Sequence, residues 1–324
     1  MTIESQLSKQ MMEKYNEKQE FLNNFKELDI EYFHDKTFIM FTYETLRLGK
    51  LDSILNTIEN NGFKIEYYSV RPNLSEKTLI DFYKYHQPNK SCELEPYGSM
   101  IPSIGWSTVR KRFNNIVIGA IVSRNNDAIQ EMIKLKGNAY PKLCSSNQIR
   151  KNAPNIVLSM MHSADDIFSV VRESTLFFSW TELNRIINNV KRFSIDYVSM
   201  LRLKSQLYDT KKSNFYYVVN KIVYNLLEKS TLENPNTYNI NIKYMEYIID
   251  NLYTFNEETY KTISKNIFNN KNTIIETLVD KKIPNLKDID VIIESLENNA
   301  LCEKGWESLL IESHLTEAYW EGYK

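Results

Sequence analysis

Three residues in one stretch of this chain, Arg150, His162 and Glu173, have types and spacing suited to moving a phosphoryl group. A neutral imidazole accepts a phosphoryl group through one ring nitrogen when the other is hydrogen-bonded, which fixes the ring and stabilises its charge as the bond forms. A carboxylate is a suitable holder, and Glu173 follows His162 by eleven residues, about three helical turns. The apolar run Ile156 to Met160 reads as a strand ending at His162. Ser163, with Asp166 three residues on, reads as the capped start of a helix. His162 is therefore expected at a strand-to-helix junction, where backbone N–H groups and the helix dipole favour an anion. Arg150, ahead of the strand, can give a bidentate phosphate contact.

The elements around these residues alternate between two periods. Thr37–Thr42 is a short apolar strand, and Leu51–Asn60 is a helix with Leu51, Ile54, Leu55 and Ile58 on one face, stopped by Asn61-Gly62. Phe63–Val70 reads as a second strand and Ser75 opens a helix carrying Leu79, Phe82 and Tyr83. Residues 88–113 look irregular, with Arg110-Lys-Arg112 as a solvated loop. Asn115–Val122 is a buried strand and Asp127–Leu135 a helix. The order predicts an α+β fold, a ferredoxin-like α/β sandwich with helices on one face of a mostly antiparallel sheet. Residues 1–30 suit an amphipathic helix. Beyond about Thr181 the apolar spacing is helical throughout, without a fixed repeat period, so an all-helical domain follows. The expected division is an N-terminal helical extension over 1–35, the α/β domain over 36–183 and the helical domain over 184–324.

Composition narrows the function classes. Hydrophobic residues at 42% and charged residues at 25% belong to a chain that folds, which excludes disordered and fibrous classes. A formal net charge of -1 gives no overall attraction to nucleic acid or anionic membrane, and neither is an expected partner. Cys92, Cys144 and Cys302 fit no metal spacing and no disulfide framework. No apolar run is long enough to span a bilayer and Met1 to Leu28 holds no signal-like core, so a soluble cytoplasmic protein is expected. Eight glycines in the whole chain leave no glycine-rich phosphate loop.

From residue 36 to 183 the chain resembles the nucleoside diphosphate kinase family. The resemblance is carried by motifs in order: Thr37-Phe-Ile-Met-Phe41 before Arg47-Leu-Gly49, Asn61-Gly-Phe-Lys64, Asp81-Phe-Tyr83 and Gly137-Asn-Ala-Tyr-Pro141. Gln148-Ile-Arg150, Ser159-Met-Met-His-Ser-Ala-Asp165 and Arg172-Glu173 through Leu176-Phe-Phe178 complete it. It implies that His162 becomes phosphorylated, that Glu173 orients it, and that Arg150 and Tyr83 contact phosphate. Mg²⁺ with ATP or GTP is the implied cofactor and substrate, with no metal ligands from the protein itself, and homo-oligomers form in the family through this domain.

The departures fall on the phosphate cradle. Thr42 stands where the family has a phosphate-binding lysine, and Tyr43-Glu44-Thr45 replaces Pro-Asp-Gly. Ile133 replaces an arginine, Ala139 a threonine, Ser159 the asparagine before the histidine, and Ala164 a serine. Thr42 and Ser159 remain as binding candidates. Lys134, Lys136, Lys142 and Arg110-Lys-Arg112 could compensate, and Trp106 or Tyr97 could receive a base. Each lost electrostatic contact is worth a factor of roughly a hundred to a thousand. Two functions remain open: a divergent phosphotransferase with a phosphohistidine intermediate and an acceptor that need not be a nucleoside diphosphate, or a degenerate nucleotide- or partner-binding module with a helical docking domain.

Overall fold

The computed structural model of this chain describes residues 29–83, 106–188, 213–254, 256–268, 274, 277–278 and 286–322. Its packing divides into two units, Met1–Trp106 with Arg110–Tyr208, and Ser107–Val109 with Asp209–Lys324. The expected N-terminal helix over 1–30, up to residue 28, and Tyr97 lie outside the described residues.

The first unit is built on a four-stranded sheet in the order β2-β3-β1-β4, with every pairing antiparallel. The strands are β1 (Lys36–Phe41), β2 (Lys64–Arg71), β3 (Val117–Ser123) and β4 (Met161–Ser163). β3, Val-Ile-Gly-Ala-Ile-Val-Ser, is buried at every position. A continuous apolar, β-branched run of this kind belongs between neighbours and under helices on both faces.

Helices do cover both faces, where the sequence pointed to one. Ile39, Phe41, Ile118, Ala120 and Val122 pack in one cluster with Leu51, Ile54, Leu55 and Ile58 of α2 (Leu51–Asn60) and Met132 of α5 (Ala128–Lys136). A short helix, α1 (Tyr43–Arg47), precedes α2. On the opposite face Phe38 meets Phe82 of α3 (Glu76–Tyr83), with ring centroids 6.0 Å apart. It also meets Phe177 of α6 (Ile167–Phe177), at 5.7 Å. Gly119 makes this second packing close, since a Cβ there would lie 2.5 Å from the Phe177 ring. Apolar residues at alternate positions of β1 thus serve two cores, as the two-residue period requires.

Three local expectations change. Ile156–Met160 is not a strand: Asn155 Oδ1 accepts the N–H groups of Val157 and Leu158 (3.0 and 2.8 Å), which turns the chain, and Met160 takes a left-handed φ of 67°. The strand begins at Met161, so His162 lies in its middle. The following helix starts at Ile167, with Asp166 as N-cap accepting from Ser169 N–H at 2.8 Å, so Ser163 stays in the strand. Finally, Arg110-Lys-Arg112 is not a solvated loop, because Trp106–Phe113 forms a helix, α4. Val109 and Phe113, four apart on one face, are buried. A further helix, α7 (Trp180–Ile187), follows α6.

The second unit is helical, as expected: α8 (Phe215–Glu233), α9 (Tyr238–Asp250), α10 (Glu257–Phe268), α11 (Leu286–Asn298) and α12 (Trp306–Gly322). α8 packs against α9 and α12, and α11 against α12. Buried Asn220 of α8 places its amide nitrogen within 3.0 Å of the carbonyls of Asn251, Leu252 and Thr254, and the Tyr260 hydroxyl donates to its oxygen. That satisfies the α9–α10 turn from inside. His314 stacks on Phe215 at 3.9 Å. Among the described residues no helix is long and apolar enough to cross a membrane.

Candidate active site

His162 stands on β4 directly opposite Met40 of β1, which in turn is opposite Gly119 of β3. This row carries His162 on the face of the sheet that α6 covers. Glu173 lies within α6 and is buried. Its Oε2 is 2.7 Å from His162 Nε2, and the two side chains are 3% and 15% exposed. With the ring proton on Nε2 donated to Glu173, the lone pair is on Nδ1, the nucleophilic nitrogen of that tautomer. The edge of Phe82 meets the imidazole at 5.9 Å and 79°, which limits how the ring can turn.

Arg150 follows Ile149 in the 3-10 turn Ile149–Asn152 and anchors β4. Its Nε and Nη2 both donate to the Met161 carbonyl, at 3.1 and 2.8 Å. Its Nη1 has no hydrogen-bond partner among the described residues. Burial, then the Arg112 charge, pushes its pKa down to about 10, so the guanidinium is still protonated at neutral pH.

Thr42 and Ser159 belong to a second cluster that the sequence did not disclose. At its centre Glu44 is fully buried, and Arg112, 5% exposed, pairs with it. Arg112 Nη2 donates to Glu44 Oε1 at 2.5 Å and Nε to Oε2 at 3.2 Å, a two-point contact. The same Nη2 reaches Thr42 Oγ1 at 2.7 Å and Ser159 Oγ at 3.2 Å. Tyr83 is half-buried, with its ring edge-on to Phe113 at 6.1 Å. Burial raises its pKa, against the pull of the Arg112 and Arg150 charges.

Residues 35–183 match the profile of the nucleoside diphosphate kinases. This segment is a divergent nucleoside diphosphate kinase-like domain. Among solved structures, the nucleoside diphosphate kinase of Encephalitozoon cuniculi is 16% identical, with 52% of this chain and 99% of that one covered, at a TM-score of 0.38. The nucleoside diphosphate kinase of Aquifex aeolicus is 19% identical, with 46% and 97% covered, at 0.38. No curated protein matches the chain.

Within the kinase-like domain the structure brings His162 and Glu173 into direct contact and ties Arg150 to them through the Met161 carbonyl. It draws Thr42 and Ser159 onto Arg112. Of the three flanking lysines, Lys134 is exposed and paired with Glu131, Lys142 is exposed, and Lys136 is buried. Lys136 Nζ donates to the Ser163 carbonyl and to Asp165, each at 3.1 Å. Its pKa is lowered by burial and then by Arg150, against the pull of Asp165 and Glu173. The side chain of Trp106 lies outside the described residues. Glu44 was missed, and Arg112, expected only as a compensating cation, was missed as its partner. The signal for Arg112 was present: Trp106, Val109 and Phe113 have helical spacing, which sets position 112 beside an apolar face. Among the described residues no group of three or more His, Cys, Asp or Glu could hold a metal ion.

Proposed function

We propose that the kinase-like domain is a phosphotransferase that takes the terminal phosphoryl group of ATP or GTP onto His162 and passes it to an acceptor that need not be a nucleoside diphosphate. The observation that carries this reading is the 2.7 Å contact between His162 Nε2 and the buried Glu173 carboxylate. Mg²⁺ enters with the nucleotide as part of the substrate. The Nδ1 lone pair attacks the γ-phosphorus in line, an N–P bond forms, and the P–O bond to the β-phosphate breaks with its electron pair leaving on the nucleoside diphosphate. The ring becomes cationic as this happens, and Glu173 stabilises the Nε2 proton. In the second half an acceptor oxygen attacks phosphorus and the N–P electron pair returns to Nδ1. The remaining edge of the Arg150 guanidinium supplies a phosphate contact, with Tyr83 beside it. In this reading the catalytic segment is 36–183, flanked by an extension over 1–35 and a helical domain over 184–324, in a cytoplasmic protein.

One observation favours a second reading. Thr42 and Ser159, two of the positions where the phosphate cradle departs from the family, are engaged by Arg112, whose charge is balanced by Glu44. A cradle turned into an internal brace suits a domain that binds nucleotide, or a partner, without turnover.

Incubation with γ-labelled ATP or GTP and Mg²⁺ separates the two. The first reading predicts an acid-labile, alkali-stable label on the wild-type protein and none on His162→Ala. Nucleotide binding without any label overturns it and supports the second.

A further inference from the structure

Met160 is a buried, unbranched residue held at φ 67°, two positions before His162. Side chains other than glycine, asparagine and aspartate seldom adopt this conformation, and where they do the surroundings over-determine it. Here both peptide groups of Met160 are held by one turn of the chain. Its N–H donates to Glu44 Oε1 at 2.8 Å. Its carbonyl accepts from Thr42 N–H at 3.2 Å, from Thr42 Oγ1 at 3.1 Å and from Thr45 Oγ1 at 2.5 Å. Glu44 is held in turn by the two-point contact from Arg112, and the Thr42 hydroxyl lies 2.6 Å from Glu44 Oε1. The chain therefore leaves Met160 in a direction set by the β1–α1 turn, and only Met161, anchored by Arg150, separates it from His162.

We infer that Glu44, clamped by Arg112, is a positioning residue of the site: by holding Met160 in its left-handed conformation it sets the ring of His162 against Glu173. The inference rests on the phosphotransferase reading for its kinetic consequence, but its geometric part stands without it. Arg112 acts through Glu44, and neither residue needs to touch the nucleotide.

The test uses the full chain carrying ¹⁵N-labelled histidine, with the His162 ring assigned by its loss in His162→Ala. In the wild type the ring correlations are expected to show one tautomer, protonated on Nε2. In Glu44→Gln, which keeps the size of the side chain but loses its charge, a mixture of tautomers is expected. Single-turnover phosphorylation is expected to fall about a hundredfold, the effect of a displacement on the order of 1 Å, with nucleotide affinity unchanged. Adding Met160→Gly to Glu44→Gln lets the backbone reach positive φ unaided. The rate is then expected to recover about tenfold even though the melting temperature falls further, a divergence that general weakening of the fold would not produce. Wild-type ring correlations and rate in Glu44→Gln, or a double variant whose rate declines with its stability, would overturn the inference. If the double variant does not fold, the ring correlations of Glu44→Gln decide alone. If the wild type takes no label the phosphotransferase reading fails, while the ring correlations still judge the role of Glu44.

Discussion

The kinase-like domain buries two carboxylates to nearly the same degree, Glu173 at 2% and Glu44 at 0% exposure, and gives them opposite kinds of partner. Glu44 faces a guanidinium, which keeps its charge at every physiological pH. Glu173 faces an imidazole, which can become cationic as a bond forms at its other nitrogen. The first pair is a permanent brace, further satisfied by the Met160 N–H and the Thr42 hydroxyl. In the proposed reaction the attraction within the second pair strengthens as the imidazole becomes cationic. Under the proposal equal burial does not mean equal work: a partner that becomes cationic as a bond forms separates a reactive carboxylate from a structural one.

The comparison predicts that breaking the two pairs fails in different ways. Arg112→Met leaves Glu44 buried without its cation and is expected to destabilise the fold by about 3–5 kcal/mol, read as a lower denaturant midpoint. Adding Glu44→Gln to that variant is expected to restore part of the loss, because no uncompensated charge then remains. Glu173→Gln is expected to leave the midpoint nearly unchanged while slowing phosphorylation of His162 by a factor of roughly a hundred to a thousand. If Glu173→Gln lowers the midpoint and Arg112→Met leaves it unchanged, the two roles are reversed.

A smaller effect separates the pairs by position. Gly119→Ala puts a Cβ against the Phe177 ring, on the helix that carries Glu173 and not Glu44. Overpacking of this kind is expected to cost about 1–3 kcal/mol, and phosphorylation should slow beyond what the lost folded fraction explains.

The smallest concerns Lys136, bound to the Ser163 carbonyl beside His162. Burial lowers its pKa from the ordinary 10.5. Between the folded and the unfolded pKa the unfolded chain holds more protons, so this group's contribution to stability rises with pH and its burial penalty is greatest below both values. The midpoint of the wild type is therefore expected to gain on that of Lys136→Met as the pH rises toward the ordinary 10.5. An unchanged difference would remove Lys136 from the electrostatics of the site.

What the residue pattern disclosed followed from periodicity and from local motifs. Leu51–Asn60 was bounded by its apolar face and by Asn61-Gly62, and Gly62 does sit at φ 80°. His162 and Glu173 were paired because both lie close in sequence and one helix can return the second to the first. The Glu44–Arg112 pair joins residues 68 apart, and no local period reports such a contact. The boundary of β4 was displaced because Asn155 captures two N–H groups and Met160 turns the chain, and neither effect leaves a mark on hydropathy. Thr42 was read as the loss of a cation, while the structure places the Arg112 guanidinium against its hydroxyl.

The most direct test is to find which nitrogen carries the phosphoryl group. The protein is incubated with Mg²⁺ and γ-labelled ATP or GTP, digested under alkaline conditions, and the phosphohistidine isomer in the peptide containing His162 is identified. The account predicts phosphate on Nδ1 of His162, because Nε2 is held by Glu173. Phosphate on Nε2, or on any other residue, would contradict it.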